Sequence, residues 1–309
     1  MRSQPSCFLG RDAVGVVIER GSAVHSGLQL GSRVAVASLP IQGSGFWAEF
    51  ATAPAMDCAR LPNSIPDETA AALPYASLTA LQSLRNRIFK GSRVLVHGGA
   101  YFHLHFSHFP LLDIHCLTAF KFTLFWISGA GGVGHIAIQY CVTAGAVVSA
   151  TCTVHQQAFV AQLGAVAAYD FQDSNWLSSC GQFDVILDTV GGVVTQLSVK
   201  LLSPGGVVVS LAGDIVKNID SHGVVAGLMT SAKQWMSLQP HLHAPQVVWH
   251  MNKADGDTLR EAVKMLISGQ LQPRVHRRLK LDEIISHVDM MQQGGETPFA
   301  TGKTIITMQ

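Results

Sequence analysis

The hexapeptide Gly129-Ala130-Gly131-Gly132-Val133-Gly134 constrains this chain more than any other feature. Glycines at this density let a backbone turn tightly and approach a pyrophosphate, whose charge then sits on unpaired helix N–H groups. Alone such a run is weak evidence; its setting gives it force. Val133, Ile136, Ala137, Tyr140 and Cys141 recur at the spacing of a helix with one buried face, and Gly145 lies near its end. The pattern predicts a dinucleotide site at the start of that helix.

The surrounding sequence alternates in the same sense. The runs RVLVHG (93–98), AVVSATCT (146–153), VAAYDF (166–171), FDVILDTV (183–190) and GGVVVSLAG (205–213) are Val-rich and lack polar alternation. Strands covered on both faces read this way. Phe159, Val160 and Leu163 supply a further helical stripe, Gly164, Gly191 and Gly192 close or open elements, and Pro204 and Gly205 mark a turn before the fifth strand. The expected fold is α/β, a doubly wound parallel sheet. Before it, DAVGVVIERGSAV, LQLGSRVAVAS and GFWAEFATAP read as short β runs between glycine turns. After Gly269 come a strand-like QPRVHRRLKL, a helical DEIISHVDMMQQG and a final strand GKTIITM. The expected division is a partial β domain over 1–75, a dinucleotide-binding domain over 76–268 and a return to the β domain over 269–309.

Composition narrows the function. A formal charge of +1, with 13% charged residues, lacks the basic excess that a dedicated nucleic-acid binder uses against phosphates. The six cysteines form no CxxC pair, which points to reduced core thiols in a reducing compartment rather than a disulfide framework or zinc knuckle. Residues 1–10 show no targeting segment. The apolar stretch 102–128 is interrupted by Asp113, Lys121 and several histidines, and is not read as a membrane span. Cys7, Cys58 and His25 lack metal-ligand spacing, so no metal is expected. No Ser–His–Asp constellation is legible, and catalytic side chains stay unassigned. Hydride transfer needs none as nucleophile, because the cofactor carries the chemistry.

An NAD-type site places an acid at the end of the second strand, about twenty residues past the loop, to bind the ribose hydroxyls. Between Lys121 and Asp170 this chain has no acid. The missing carboxylate removes repulsion against a 2′-phosphate and favours NADPH. Thr153 is the hydroxyl donor at that place; His155 either adds positive charge or is an ordinary surface residue.

The blocks GRDAVGVV, GSRVAVAS, AALPYASLTALQSL, RVLVHGGA with GGVGHIAIQ, FDVILDTVGG, GGVVVSLAG and ATGKTIITM cover nearly the whole chain in order. In them the chain resembles the quinone-oxidoreductase branch of the medium-chain dehydrogenase/reductase superfamily. The resemblance implies a GroES-like β domain packed on a Rossmann domain, NADPH in the cleft, and zinc-independent hydride transfer to a quinone or enone. Carried over position by position, Gly131, Gly132, Val133 and Gly134 bind the pyrophosphate and Thr153 the adenosine phosphate side. Thr79, Val190, Leu211, Ala212 and Gly213 line the nicotinamide, with Thr79 as a helix-interior hydroxyl and Leu211 as plain core left as alternatives. Residues 214–234 and the SGQLQP…GKTIITM ending resemble a mitochondrial member of the branch that partners reticulons. That implies a mitochondrial location and a reticulon-like membrane-protein partner, and a homodimer is compatible with it.

Three departures from the family pattern stand out. Phe171 replaces a Tyr that reaches the 2′-phosphate, and Gln156 replaces a neighbouring basic residue. The chain begins at GRD, where the family has earlier β-strands and an Asn-Pro motif, which implies an N-terminally truncated GroES-like domain with unpaired edges. Residues 101–128 separate HGGA from GAGGVG, and loops of that length inside a βα turn are rare. Rich in Phe, Leu and His and flanked by repeated GA, the segment reads as a retained intron translated in frame, with a genuine loop as the competing reading. If present, its FTLFWIS run (122–128) competes with RVLVHG for the first strand; a looped-out insert with RVLVHG in the sheet is expected. The leading function is an NADPH-dependent reductase of a quinone or other conjugated carbonyl. The alternatives are an enoyl-thioester reductase, a reticulon-type interaction partner with little catalysis, and an inactive product of an incomplete gene model.

Overall fold

The computed structural model describes residues 10–24, 27–38, 45–97, 131–173, 175–212, 224–237, 247–292 and 301–308. Segment 101–128 with its FTLFWIS run lies outside the described residues, as do Gly129, Ala130, Gly213, Cys7, His25 and Cys116. Strands β1 (Asp12–Val16), β2 (Arg33–Ala37) and β3 (Cys58–Arg60) form an antiparallel sheet in that order. The run GFWAEFATAP contributes no strand to it. Phe46 is buried beside Leu28, Val34 and Val36, Phe50 is exposed, and Pro54 leads into a 3-10 turn, Ala55–Asp57, that feeds β3. The apolar alternation there anchors a loop by one aromatic ring instead of pairing a backbone.

Helices α1 (Asp67–Ala71) and α2 (Pro74–Leu84) lead into the main sheet. Its strands are β4 (Arg93–His97), β5 (Val147–Cys152), β6 (Ala167–Asp170), β7 (Phe183–Asp188), β8 (Leu202–Ser210) and β9 (Val247–Trp249). They run parallel in the order β6-β5-β4-β7-β8-β9. Alternate residues of these strands enter two cores. Val94, Val96, Val185, Leu187 and Val209 join one, and Leu95, Phe183, Ile186 and Val208 the other. Burial on both faces explains why the runs carry no polar alternation.

RVLVH (93–97) forms strand β4 inside the sheet, the place expected for the RVLVHG run. β8 begins earlier than the sequence suggests: Pro204 and Gly205 lie inside it, where the pairing jumps from Phe183↔Leu202 to Val185↔Val207. The dipeptide marks a bulge, a place where a strand tolerates a missing N–H donor. β9 has no counterpart among the predicted strands.

Between the strands lie α3 (Gly134–Thr143), α4 (Gln157–Gln162), α5 (Trp176–Ser179), α6 (Val193–Lys200) and α7 (Val224–Ser237). The chain then forms α8 (Gly256–Ile267), capped by the Asp255 carboxylate, and α9 (Ile284–Gln292). Strands β10 (Val275–Lys280) and β11 (Lys303–Thr307) pair in parallel as a separate sheet. Among the described residues no helix is long and apolar enough to cross a membrane.

Candidate functional site

With β4 counted first, the sheet order is 3-2-1-4-5-6. Connections diverge on either side of β4, and ligands of such sheets bind outside the carboxyl ends of the strands at that point. Helix α3 starts there. Val133 is its N-cap with no side-chain cap, and no acid stands in the first turn, so the positive end of the helix is left for an anion.

The loop is held from behind. His135 is fully buried; its Nδ1–H donates to the Gly131 carbonyl at 2.7 Å, and its Nε2 accepts the Arg274 N–H at 3.1 Å. Accepting that N–H requires a neutral ring. Burial, helped by Lys303 and Arg274 and opposed by the Gly131 hydrogen bond, brings the pKa down to about 4. One turn on, Gln139 accepts the Gln272 N–H at 2.8 Å and donates to the His135 carbonyl at 2.9 Å. Helix α3 is thereby laced to residues 272–274, whose Arg274 carbonyl accepts the Lys303 N–H at 2.8 Å.

Gly131 and Gly302 form a parallel bridge, and the Lys303 stem crosses Gly132, where an added Cβ would fall 2.7 Å from Lys303 Cδ. Any side chain at 132 would have to displace the Lys303 stem. Lys303 Nζ lies 2.6 Å from Asp12 Oδ2, both side chains being mostly buried, and Asp12 also accepts the Tyr75 N–H at the start of α2. A cation that sequence reading did not single out therefore stands at the glycine loop. The blocks GRD and GK were the available signals, but their meeting across 291 residues of chain is invisible to local pattern.

Thr153 follows β5 and precedes a single 3-10 turn, Val154–Gln156. Its N–H donates to Gln156 Oε1 at 3.3 Å and its carbonyl accepts the Gln156 N–H at 2.9 Å, and its Oγ1 is buried. Phe171 sits beside it at the end of β6, its N–H on the Cys152 carbonyl at 3.2 Å; His155 is exposed.

Val190, Leu211 and Ala212 follow β7 and β8 as neighbouring walls. Gly191 has φ +82°, and a Cβ on it would lie 2.8 Å from the Ala212 Cβ, so only glycine lets the walls touch. Thr79 lies inside α2, its hydroxyl donating to the Tyr75 carbonyl at 2.7 Å, which places it as a helix-interior hydroxyl outside this hydrogen-bonded set.

Among the described residues no group of three or more His, Cys, Asp or Glu could hold a metal ion. The Cys58 thiol, pushed up by burial and Asp57, keeps its proton and faces the Pro54 carbonyl at 3.5 Å.

The family model described as "Zinc-binding dehydrogenase" matches residues 163–306. The zebrafish (Danio rerio) protein "NAD(P)H oxidoreductase RTN4IP1, mitochondrial" is 27% identical, over 97% of this chain and 72% of its own length. An Arabidopsis thaliana chloroplast envelope quinone oxidoreductase homolog is 30% identical over 66% of this chain and 56% of its own. The solved structure of a Coxiella burnetii quinone oxidoreductase superposes with a TM-score of 0.72 at 23% identity, over 97% of this chain and 79% of that one. The chain is similar to zinc-binding dehydrogenases over its second half and to NAD(P)H and quinone oxidoreductases over most of its length.

Proposed function

We propose that this chain is an NADPH-dependent oxidoreductase that reduces a quinone or another conjugated carbonyl. The observation that carries the reading is the convergence, at the carboxyl ends of the strands, of the uncapped start of α3 and Lys303 at one end and the Val190 and Leu211–Ala212 walls at the other. The dinucleotide supplies hydride, one proton with two electrons, and is left oxidised, while solvent supplies the proton that completes reduction of the acceptor.

The residues of this chain bind and orient. Gly131, Gly132, Val133 and Gly134 present backbone to the pyrophosphate, and Lys303 turns its ammonium from Asp12 to the same charge. Thr153, at the end of β5, receives the adenosine end, with Phe171 as a wall. Val190, Leu211 and Ala212 enclose the nicotinamide and exclude water. Residues 1–75 and 269–309 act as one β unit on the 76–268 domain, tied by the Lys303–Asp12 and Arg278–Glu68 ion pairs. The mitochondrial name of the zebrafish relative supports the same location for this chain, and a reticulon-like partner rests on that relative's name alone.

Following absorbance at 340 nm with a soluble quinone or an enone tests the activity. The expected result is NADPH oxidation at least about tenfold faster than NADH oxidation. Equal rates would remove the NADPH preference, and bound NADPH that no quinone or enone oxidises would remove the acceptor class.

A further inference from the structure

We infer that Asp188 is a positioning residue for hydride transfer, holding both walls of the nicotinamide pocket from behind; this rests on the dinucleotide reading above. Asp188 ends β7 and is fully buried. One carboxylate oxygen, Oδ1, accepts the Val190 N–H at 2.8 Å and the Gly191 N–H at 3.0 Å. The other, Oδ2, accepts the Thr195 hydroxyl at the start of α6 and lies 3.5 Å from the Ser210 hydroxyl at the end of β8.

The second wall hangs on the same residue. The Asp188 carbonyl accepts the Leu211 N–H at 2.8 Å, and the Ala212 N–H points to Ser210 Oγ at 3.4 Å. A carboxylate buried at the end of an apolar strand is costly unless its lone pairs are filled. Here they are filled by the backbone donors of the residues proposed to face the ring. With the Val190 and Gly191 N–H groups committed inward, the 189–191 turn has one conformation, and Gly191 lets Ala212 close on it. Beside this set, the Thr189 hydroxyl donates to the His97 carbonyl at 3.1 Å, which ties the same turn to β4. Asp188 touches neither ring nor acceptor in this arrangement; it acts through two backbone segments. Small displacements of a bound ring cost hydride transfer far more than they cost binding, because transfer depends on near-contact geometry.

Two substitutions test this. Asp188→Asn keeps an acceptor for Val190 and Gly191 but turns a donor toward Thr195, and Thr195→Val removes one hydroxyl while keeping its shape. Kinetics with NADPH, the fluorescence of bound NADPH, and the affinity for adenosine 2′,5′-bisphosphate, which lacks the nicotinamide, are compared with the unsubstituted chain. The expected result is a kcat lower by about tenfold or more for Asp188→Asn and by about threefold for Thr195→Val. Bound-NADPH fluorescence should be altered in both, with bisphosphate affinity unchanged. The combined variant should be no worse than Asp188→Asn alone, since both act on one network.

Unchanged kcat and fluorescence would overturn the inference, as would a parallel weakening of NADPH and the bisphosphate, which marks general loosening. If Asp188→Asn does not fold, Thr195→Val decides alone by the same two readouts. An unsubstituted chain that binds neither NADPH nor NADH contradicts the functional reading instead.

Discussion

In the six-stranded sheet Val94, Leu95, Val96, Ile186, Val208 and Val209 are fully buried, whereas β1 leaves Val16 exposed and β10 alternates half-buried with exposed residues. The sheet that carries the site draws its stability from apolar burial on two faces. The outer strands of the small sheets have less such burial: the core beside β1–β3 holds Leu28, Val34, Val36, Phe46 and Cys58, and Ala35, Ala37 and Ala59 join the main core. Polar ties join these sheets to the rest, including Lys303 to Asp12, Arg278 to Glu68, and Arg33 to the Pro62 and Ile65 carbonyls and Asp67. The large sheet thus carries the glycine loop and the Val190 and Leu211–Ala212 walls, and the smaller sheets contribute the Lys303 cation beside that loop.

Acid should break the comparison most strongly. His97 and His135 both lie in the large domain with pKa values of about 4, His97 through burial opposed by Asp188. An unfolded histidine titrates near 6.5. Because the folded values are lowered, the unfolded chain binds more protons between those limits, and stability is complete above about 6.5 and falls as pH drops. Denaturant titrations should lose about 3 kcal/mol for the two rings between pH 6.5 and 5. A flat profile over that window would show that the rings titrate normally.

Side-chain truncation should come next. Ile186→Ala in β7 should cost about 3 kcal/mol of unfolding free energy, and Val14→Ala in half-buried β1 less than about 1. Equal losses would erase the contrast between the two regions. The smallest effect is expected for Glu68→Gln, which breaks an exposed ion pair with Arg278 and should change stability by less than about 0.5 kcal/mol.

The same contrast governs what the sequence revealed. Five strands of the large sheet were legible, because double burial imposes long Val-rich runs, and the stripe from Val133 to Cys141 gave α3 with its glycine entry. β9 was too short to stand out, and GFWAEFATAP misled because one anchoring aromatic imitates alternation. Gly131 to Gly134 lie at the start of α3, where the local motif puts them. Residues acting across the fold were not legible: Lys303 meets Gly132, and His135 meets Arg274, only after the β10–β11 segment returns. Asp188 did leave a trace, a lone acid closing an apolar run before two glycines, but its donors become apparent only when β7 and β8 lie side by side.

The central claim, that a nicotinamide dinucleotide sits on the loop at the start of α3 with Lys303 beside it, is tested most directly by titrating NADPH into three chains. These are the unsubstituted protein, Gly132→Asp and Lys303→Met, each checked for cooperative unfolding. Saturable binding with a Kd of about 1–100 μM is expected for the first, a roughly tenfold weaker Kd for Lys303→Met, and no binding for Gly132→Asp. Binding by Gly132→Asp as tight as that of the unsubstituted chain would contradict it.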